Sequence, residues 1–191
     1  YTYDAVGNQT SVRDGNLHTT SFTYDAANRL ASTIDPLGHT TIYAYDNNGN
    51  RTGVTDTLGH ITTYVYDTLD RQTQVVDALA HATTTTYDGV GNVLSVTDPN
   101  NHTTAYAYNA ANQLVTVTDA RGGIVSYAYD ANGNRIRLTD ANGHATIYTY
   151  DALNRLSRVT DPLGHFTSYS YDANSNRLTT TDANGATTTY A

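Results

Sequence analysis

A Tyr-Asp dipeptide recurs every 21 residues along this 191-residue chain, without a single insertion. The dipeptide loses its acid in one copy only, where Asn109 follows Tyr108. The repeat tyrosines are Tyr3, Tyr24, Tyr45, Tyr66, Tyr87, Tyr108, Tyr129, Tyr150 and Tyr171. A fixed period of about 20–50 residues is typical of repeat architectures, in which each unit packs on its neighbours. We therefore expect residues 1–191 to form nine tandem repeats, a fragment of a longer array without caps, rather than the one or two domains that the length suggests.

Each repeat contains a second aspartate, ten residues after the first and eleven before the next. Both series open a turn of the form Asp-x-x-Gly or Asp-x-x-Asn, as in Asp46 to Gly49 and Asp35 to Gly38. Asp at the first position can accept a hydrogen bond from the backbone two residues on, and Gly or Asn at the fourth tolerates a left-handed conformation. Such a turn with a bulge is a common short hairpin connection. We interpret these aspartates as structural turn residues: Asp4, Asp14, Asp25, Asp35, Asp46, Asp56, Asp67, Asp77, Asp88, Asp98, Asp119, Asp130, Asp140, Asp151, Asp161, Asp172 and Asp182.

The fourth position of the Tyr-Asp turns alternates, which indicates a weak double repeat. Glycine occupies it in one turn and a larger polar residue in the next, in the order Gly7, Asn28, Gly49, Asp70, Gly91, Asn112, Gly133 and Asn154, with Ser175 last.

Each repeat is predicted to contain two strands. The first runs from about His39 to Asp46 and places Tyr43 and Tyr45 on one face, because side chains alternate at period two. The second runs from Arg51 to Asp56 and places Thr52 and Val54 on one face, which we expect to coincide with the tyrosine face. An open sheet seldom exceeds about ten strands before it curls. The predicted fold is therefore all-β, with tandem antiparallel β-hairpin repeats forming a curved, spiralling sheet.

Composition excludes several classes of function. The chain lacks Lys, Glu, Cys, Met and Trp, and its 10 Arg and 18 Asp give a formal net charge of −8. Nucleic-acid binding requires a basic stripe, so no nucleic-acid partner is expected. No apolar run approaches the roughly 18 residues of a membrane helix, so no membrane span is expected.

The seven histidines share one phase, four residues after the second aspartate: His18, His39, His60, His81, His102, His144 and His165. A metal-binding ladder is one interpretation. Residues of one phase lie two strands apart, roughly 9.6 Å, whereas zinc ligands lie about 2 Å from one ion. We therefore expect solvated residues at the turn exits. Protonation of all seven would change the net charge from −8 to −1, which predicts self-association as the pH falls from 7 toward 5.

Four other kinds of site are alternatives to a purely structural role. The aspartates lack the Glu of a helix-loop-helix calcium loop, and acid catalysis needs two carboxylates in unlike environments. The tyrosine stripes could stack sugars, but 17 Tyr in register also suit a structural role. No Ser/His/Asp arrangement is distinguished from the periodic background. No enzyme, metal site or cofactor is therefore predicted.

The segments Tyr45-Asp46-x-x-Gly49-Asn50-Arg51 and Asp35-Pro36-Leu37-Gly38-His39 resemble the tyrosine-aspartate (YD) repeat of the RHS (rearrangement hot spot) family. Its members include bacterial polymorphic toxins, B and C components of insecticidal toxin complexes, wall-associated proteins and teneurins. The resemblance implies a hollow β-shell that encloses a toxic C-terminal domain, or a cell-surface body. The family's self-cleaving segment and variable effector have no counterpart here, so no catalytic residue is carried over.

The leading hypothesis is a structural segment of a large secreted or cell-surface bacterial protein, part of the wall of a shell around a C-terminal toxin. Its expected partners are further YD repeats of the same or neighbouring chains, together with an enclosed toxin domain or surface glycans. A repeat unit of an extracellular fibre or adhesin is the alternative. A carbohydrate-binding surface made by the tyrosine stripes is the third possibility.

Overall fold

The computed structural model describes residues 1–190, which form strands and turns and contain no helix. The chain divides into two compact units. Unit 1 comprises Tyr1–Thr86 with Thr97–Asn101, and unit 2 comprises Tyr87–Val96 with the residues from His102 onward. The strands of the first half are β1 (Thr2–Tyr3), β2 (Gln9–Arg13), β3 (Thr19–Tyr24), β4 (Leu30–Ile34), β5 (Thr40–Tyr45), β6 (Arg51–Thr55), β7 (Ile61–Tyr66), β8 (Gln72–Val76) and β9 (Ala82–Tyr87). The others are β10 (Val93–Thr97), β11 (Thr103–Tyr108), β12 (Leu114–Thr118), β13 (Ile124–Tyr129), β14 (Arg135–Thr139), β15 (Ala145–Tyr150), β16 (Leu156–Thr160), β17 (Phe166–Tyr171), β18 (Arg177–Thr181) and β19 (Thr187–Thr189).

The predicted all-β fold of antiparallel hairpin repeats is confirmed. In the first half of the chain, successive strands pair antiparallel from β1–β2 through β8–β9. The same holds from β11 to β19 in unit 2. The strands predicted at His39–Asp46 and Arg51–Asp56 are observed as β5 and β6, because the flanking residues belong to the turns.

The two turns of a repeat share one backbone geometry. In the turn after Tyr45, the Gly49 N–H donates to the Asp46 carbonyl at 3.3 Å, and the Asp46 N–H donates to the Asn50 carbonyl at 3.0 Å. The turn that starts at Asp35 repeats both bonds, at 3.0 Å each. Gly49 has φ 93°, in the left-handed region that favours glycine. These features fit the bulged hairpin connection expected from the sequence.

Hairpins closed by a Tyr-Asp turn contain an additional bulge, which corrects one expectation. Ala44 lies opposite Gly53, but Tyr45 lies opposite Arg51, so Thr52 is an extra residue in β6. The prediction that Thr52 and Val54 share a face is therefore wrong. In the equivalent hairpin of β1 and β2, the Thr2 hydroxyl binds the hydroxyls of both Thr10 and Ser11, so the extra residue faces the same side as its successor.

This bulge reconciles the repeat length with the alternation of side chains. A period of 21 residues is odd, so strict alternation would move the repeat tyrosine to the opposite face in each successive repeat. One extra residue per repeat returns the tyrosine to the same face of the sheet. Tyr43 accordingly lies opposite Val54, and Tyr64 lies opposite Val75. The prediction that the tyrosine and valine faces coincide is confirmed, and we call this side of the sheet the Tyr face.

Each unit is a single layer of sheet without a hydrophobic core in its described residues. Side chains on the Tyr face are half-buried by their neighbours, whereas the opposite side chains of β7 and β11 are exposed. Ile42 and Ile61, on that opposite side, expose 51% and 50% of their surface. Cross-strand pairs and turn hydrogen bonds must therefore supply much of the stability that a core would give elsewhere.

Candidate functional site

The aspartate at the start of each turn binds the backbone of that turn through its carboxylate. Asp46 Oδ1 accepts hydrogen bonds from the N–H groups of Asn48 at 3.0 Å and Asn50 at 2.8 Å. Its second oxygen, Oδ2, accepts one from the Asn50 side chain at 3.0 Å. Asp56 makes the same pair of backbone contacts in the other series, with Leu58 and His60. Both carboxylates are therefore bound within their own turns.

The fifth turn residue binds the remaining carboxylate oxygen. Its identity differs between the two edges of the sheet at which the turns lie, one formed by the Tyr-Asp turns and the other by the turns of the second aspartate series. After Tyr-Asp the fifth residue is commonly Asn or Arg, as in the bond from Arg29 Nε to Asp25 at 2.7 Å. At the opposite edge it is commonly histidine. Nδ1 of histidine lies 2.8–3.2 Å from Oδ2 of its own turn aspartate in the pairs His18–Asp14, His39–Asp35, His60–Asp56, His81–Asp77, His144–Asp140 and His165–Asp161.

The histidines are exposed, as predicted, but they are not merely solvated. The side chains of His39 and His60 expose 55% and 59% of their surface while holding their aspartates. Sequence reasoning missed these pairs. The available signal was that histidine takes the position that Asn and Arg take at the other edge. Over residues 1–190, no three metal-ligating side chains lie close enough to share an ion.

These hydrogen bonds lower the pKa of the Asp46 and Asp56 carboxyls below the ordinary value of 3.8. For Asp46 the bond from the Asn50 side chain is the largest influence on the pKa; desolvation opposes it, and backbone N–H groups add to it. The His60 side chain has the leading effect on the pKa of Asp56. The pKa is also lowered at Asp4, Asp14, Asp25, Asp35, Asp67, Asp77, Asp88, Asp130, Asp140, Asp151, Asp161 and Asp172.

The repeat tyrosines each end an odd-numbered strand, from β1 to β17. The Tyr45 hydroxyl donates to the Leu30 carbonyl at 3.0 Å and so links the hairpin of β5 and β6 to the preceding hairpin. Corresponding bonds to the residue fifteen positions earlier are made by Tyr24, Tyr66, Tyr129, Tyr150 and Tyr171. Several rings also have a guanidinium over one face, as Arg29 has over Tyr45 at 4.7 Å and Arg135 over Tyr148 at 4.9 Å.

A chain of hydrogen bonds between successive Tyr-Asp turns accounts for the double repeat. The Asn50 side chain donates to Asp70 of the next turn on that edge at 2.6 Å, and Asn134 donates to Asn154 at 2.9 Å. The turn that accepts this hydrogen bond has a longer residue at its own fifth position. Arg29 is such a residue, and its guanidinium donates to the Asp46 carbonyl of the following turn at 2.7 Å. From the first to the eighth turn, a Gly-Asn turn therefore alternates with an Asn-Arg, Asp-Arg or Asn-Gln turn, which requires two repeats per period.

Comparison with known proteins agrees with this geometry. The RHS Repeat family model matches residues 3–40, 24–61, 45–82, 87–124, 129–165 and 150–187. The fold is similar to the crystal structure of TcdB2-TccC3 (TM-score 0.70, 18% identity), with 92% of this chain and 11% of that chain covered. It is also similar to TcdB2-TccC3 without its hypervariable C-terminal region (TM-score 0.65, 18% identity), with 98% and 11% covered. No curated protein matches the chain.

These identities show a shared fold alone, and this chain spans about a tenth of the length of those structures. No helix within residues 1–190 is long and apolar enough to cross a membrane. The family is established by the sequence matches themselves, which together span most of the 21-residue repeats. This chain belongs to the RHS repeat family.

Proposed function

We propose that this chain forms part of the wall of a hollow β-shell that encloses a C-terminal toxin domain. The parent would be a large secreted or cell-surface bacterial protein, and the repeats would have a structural role without a reaction of their own. The likeness to TcdB2-TccC3 at a TM-score of 0.70 carries this proposal, together with the family membership.

The hydrogen bonds within and between the hairpins suit the wall of a shell. A single sheet without a core in its described residues needs reinforcement along its length, and both edges supply it. The turn aspartates fix the hairpins, and the repeat tyrosines and Tyr-Asp turns bind each hairpin to the next, as Tyr45 and Asn50 do. Further repeats of the same or neighbouring chains would extend the wall.

Protease protection and imaging of the parent protein test the proposal. Negative-stain images should show closed hollow particles, and a toxin domain encoded downstream should resist added protease until the particle is denatured. A parent with its toxin domain moved outside the repeats, by fusion at the opposite end, is the matched control and should lose that domain at once. Long threads with no protected domain would overturn the shell and support the fibre or adhesin alternative.

A further inference from the structure

The side of the sheet opposite the Tyr face, here called the small-residue face, has an unusual pair of arginines in unit 2. One repeat position on this face holds small or uncharged residues in most repeats, in the order Ser11, Ser32, Gly53, Gln74, Ser95 and Thr116, with Thr179 last. In two consecutive repeats it holds Arg137 and Arg158. Because the phase is shared, both guanidinium groups arise from the same side of the sheet.

Strand register places the two arginines diagonally across β15. Arg137 on β14 lies opposite Ile147, and Arg158 on β16 lies opposite Thr149. Two strand spacings and two residues along the strand separate their Cα atoms, a distance of about 12 Å. Their other neighbours across the sheet are Ala128 and Ser168, so no acid lies opposite either arginine.

Neither arginine has a salt bridge in the described structure, in contrast to Arg155, whose Nε lies 2.7 Å from Asp151. Arg137 Nε donates to the Thr139 hydroxyl at 3.2 Å. The Arg158 guanidinium stacks 3.6 Å from the Phe166 ring centroid, and its Nε is buried without a hydrogen-bond partner. A guanidinium keeps its charge under all ordinary conditions, so its desolvated N–H is costly unless an acceptor is bound.

From this arrangement we propose that the small-residue face of unit 2 binds an extended acidic polypeptide segment, with one carboxylate at Arg137 and one at Arg158. The planar guanidinium donates two parallel hydrogen bonds that match a carboxylate. In an extended peptide, residues four apart share a face at about 13 Å, close to the separation of the two arginines.

The surroundings favour a peptide over a dense polyanion. Beside Arg137 lies an open depression of about 660 Å³, lined in part by Ile136, Ile147 and Thr149, which suits an aliphatic side chain next to an acid. Asp130 and Asp151 also line this depression, so it has no room for a second anionic group beyond the single carboxylate at Arg137, which a run of phosphates or sulfates would require. Nucleic acid and sulfated glycans depend on many cations, whereas this chain has a net charge of −8. This site does not depend on the proposed shell.

Fluorescence anisotropy of a labelled nine-residue peptide, titrated with the 191-residue chain at low ionic strength, tests the proposal. The peptide carries Asp at its third and seventh positions within an alternating Thr/Val sequence, and its matched control carries Asn at both. Binding should weaken about tenfold or more in the Arg137→Gln, Arg158→Gln double variant. The control variant, Arg121→Gln with Arg177→Gln, changes the net charge equally. Arg177 lies over Tyr169 on the Tyr face, so this variant should bind as the parent chain does.

Four outcomes would overturn the inference. They are equal binding of the Asn peptide, equal weakening in both double variants, no binding by the parent chain, and preference for a sulfated oligosaccharide with the same dependence on Arg137 and Arg158. Far-UV circular dichroism of each variant shows whether the sheet is retained. The Arg158→Lys variant keeps the charge but not the planar stack on Phe166, and should bind more weakly than the parent while remaining folded.

Discussion

At the scale of single residues, the fourth turn position imposes the strictest conformational demand. Ala80 occupies it with φ 66°, a left-handed conformation that is strained for a residue with a Cβ. The Ala80→Gly variant should therefore be more stable by about 1 kcal/mol, measured from urea denaturation. Ala78, two residues earlier in the same turn, is the matched control, because glycine there gains no such relief and increases the freedom of the unfolded chain. A lower urea midpoint for Ala80→Gly would contradict this prediction.

At the repeat tyrosine, the contribution of the hydroxyl to stability can be measured separately from that of the ring. Tyr45→Phe removes the hydrogen bond to the Leu30 carbonyl but keeps the ring, so the free energy of unfolding should fall by about 1 kcal/mol. Tyr43→Phe is the control, since the Tyr43 hydroxyl forms no hydrogen bond within residues 1–190. Urea denaturation of the two variants side by side measures the difference, and equal losses would exclude a role for the hydroxyl bond.

At the scale of the element, a turn whose aspartate has a lowered pKa couples stability to pH through that carboxylate. The pKa of Asp46 is lower in the folded state than its ordinary value of 3.8, so the carboxylate contributes stability above that value and loses it as the pH falls through the folded pKa. The Asn109 turn has the same backbone contacts without an acid, and its side chain donates to Gln113.

Transplanting that turn tests the coupling. We expect a smaller drop in urea midpoint between pH 6 and pH 3 than in the parent chain when three turns carry Asp→Asn with Asn→Gln, at Asp46 and Asn50, Asp88 and Asn92, and Asp130 and Asn134. The reverse exchange, Asn109→Asp with Gln113→Asn, should increase the drop. Identical pH profiles in all three proteins would show that these carboxylates do not control acid stability.

The sequence predicted the elements well because each rests on local chemistry. Turns follow from Asp and Gly at fixed offsets, and strands such as β5 follow from alternation. The extra residue at Thr52 escaped prediction because a bulge has no signature of its own there; only the odd repeat length implies that one residue must break the alternation. The pairing of His39 with Asp35 was missed because histidine is interpreted from the sequence alone as a metal ligand or a solvated residue. It is not interpreted there as the fifth turn residue that binds the turn aspartate, as Asn50 binds Asp46.

At the scale of the whole molecule, the repeat adds together many small contributions to stability. Within each unit strands contact their neighbours along the chain, from β1 to β8 in unit 1 and from β11 to β19 in unit 2, so the stability of each unit should grow with the sum of repeat and interface contributions. The properties that are particular to this chain lie in the residues that depart from the repeat. The arginines at positions 137 and 158 could have been found in the sequence by aligning the repeats, but their shared face and their lack of acidic partners required the register.

Charge accumulates in the same way, which gives the last prediction. Between pH 7 and pH 5 imidazole is the ordinary side chain that gains charge, while turn carboxylates such as Asp56, whose pKa is lowered below 3.8, stay ionised. Protonation of the seven histidines would reduce the net charge from −8 to −1 and with it the repulsion between molecules, so light scattering should rise over this range. Replacing all seven by Asn, the residue that holds Asp46 at the other edge, should keep the turns intact and the net charge at −8. Scattering from that variant should stay flat, and a rise equal to that of the parent chain would show that histidine charge is not the cause.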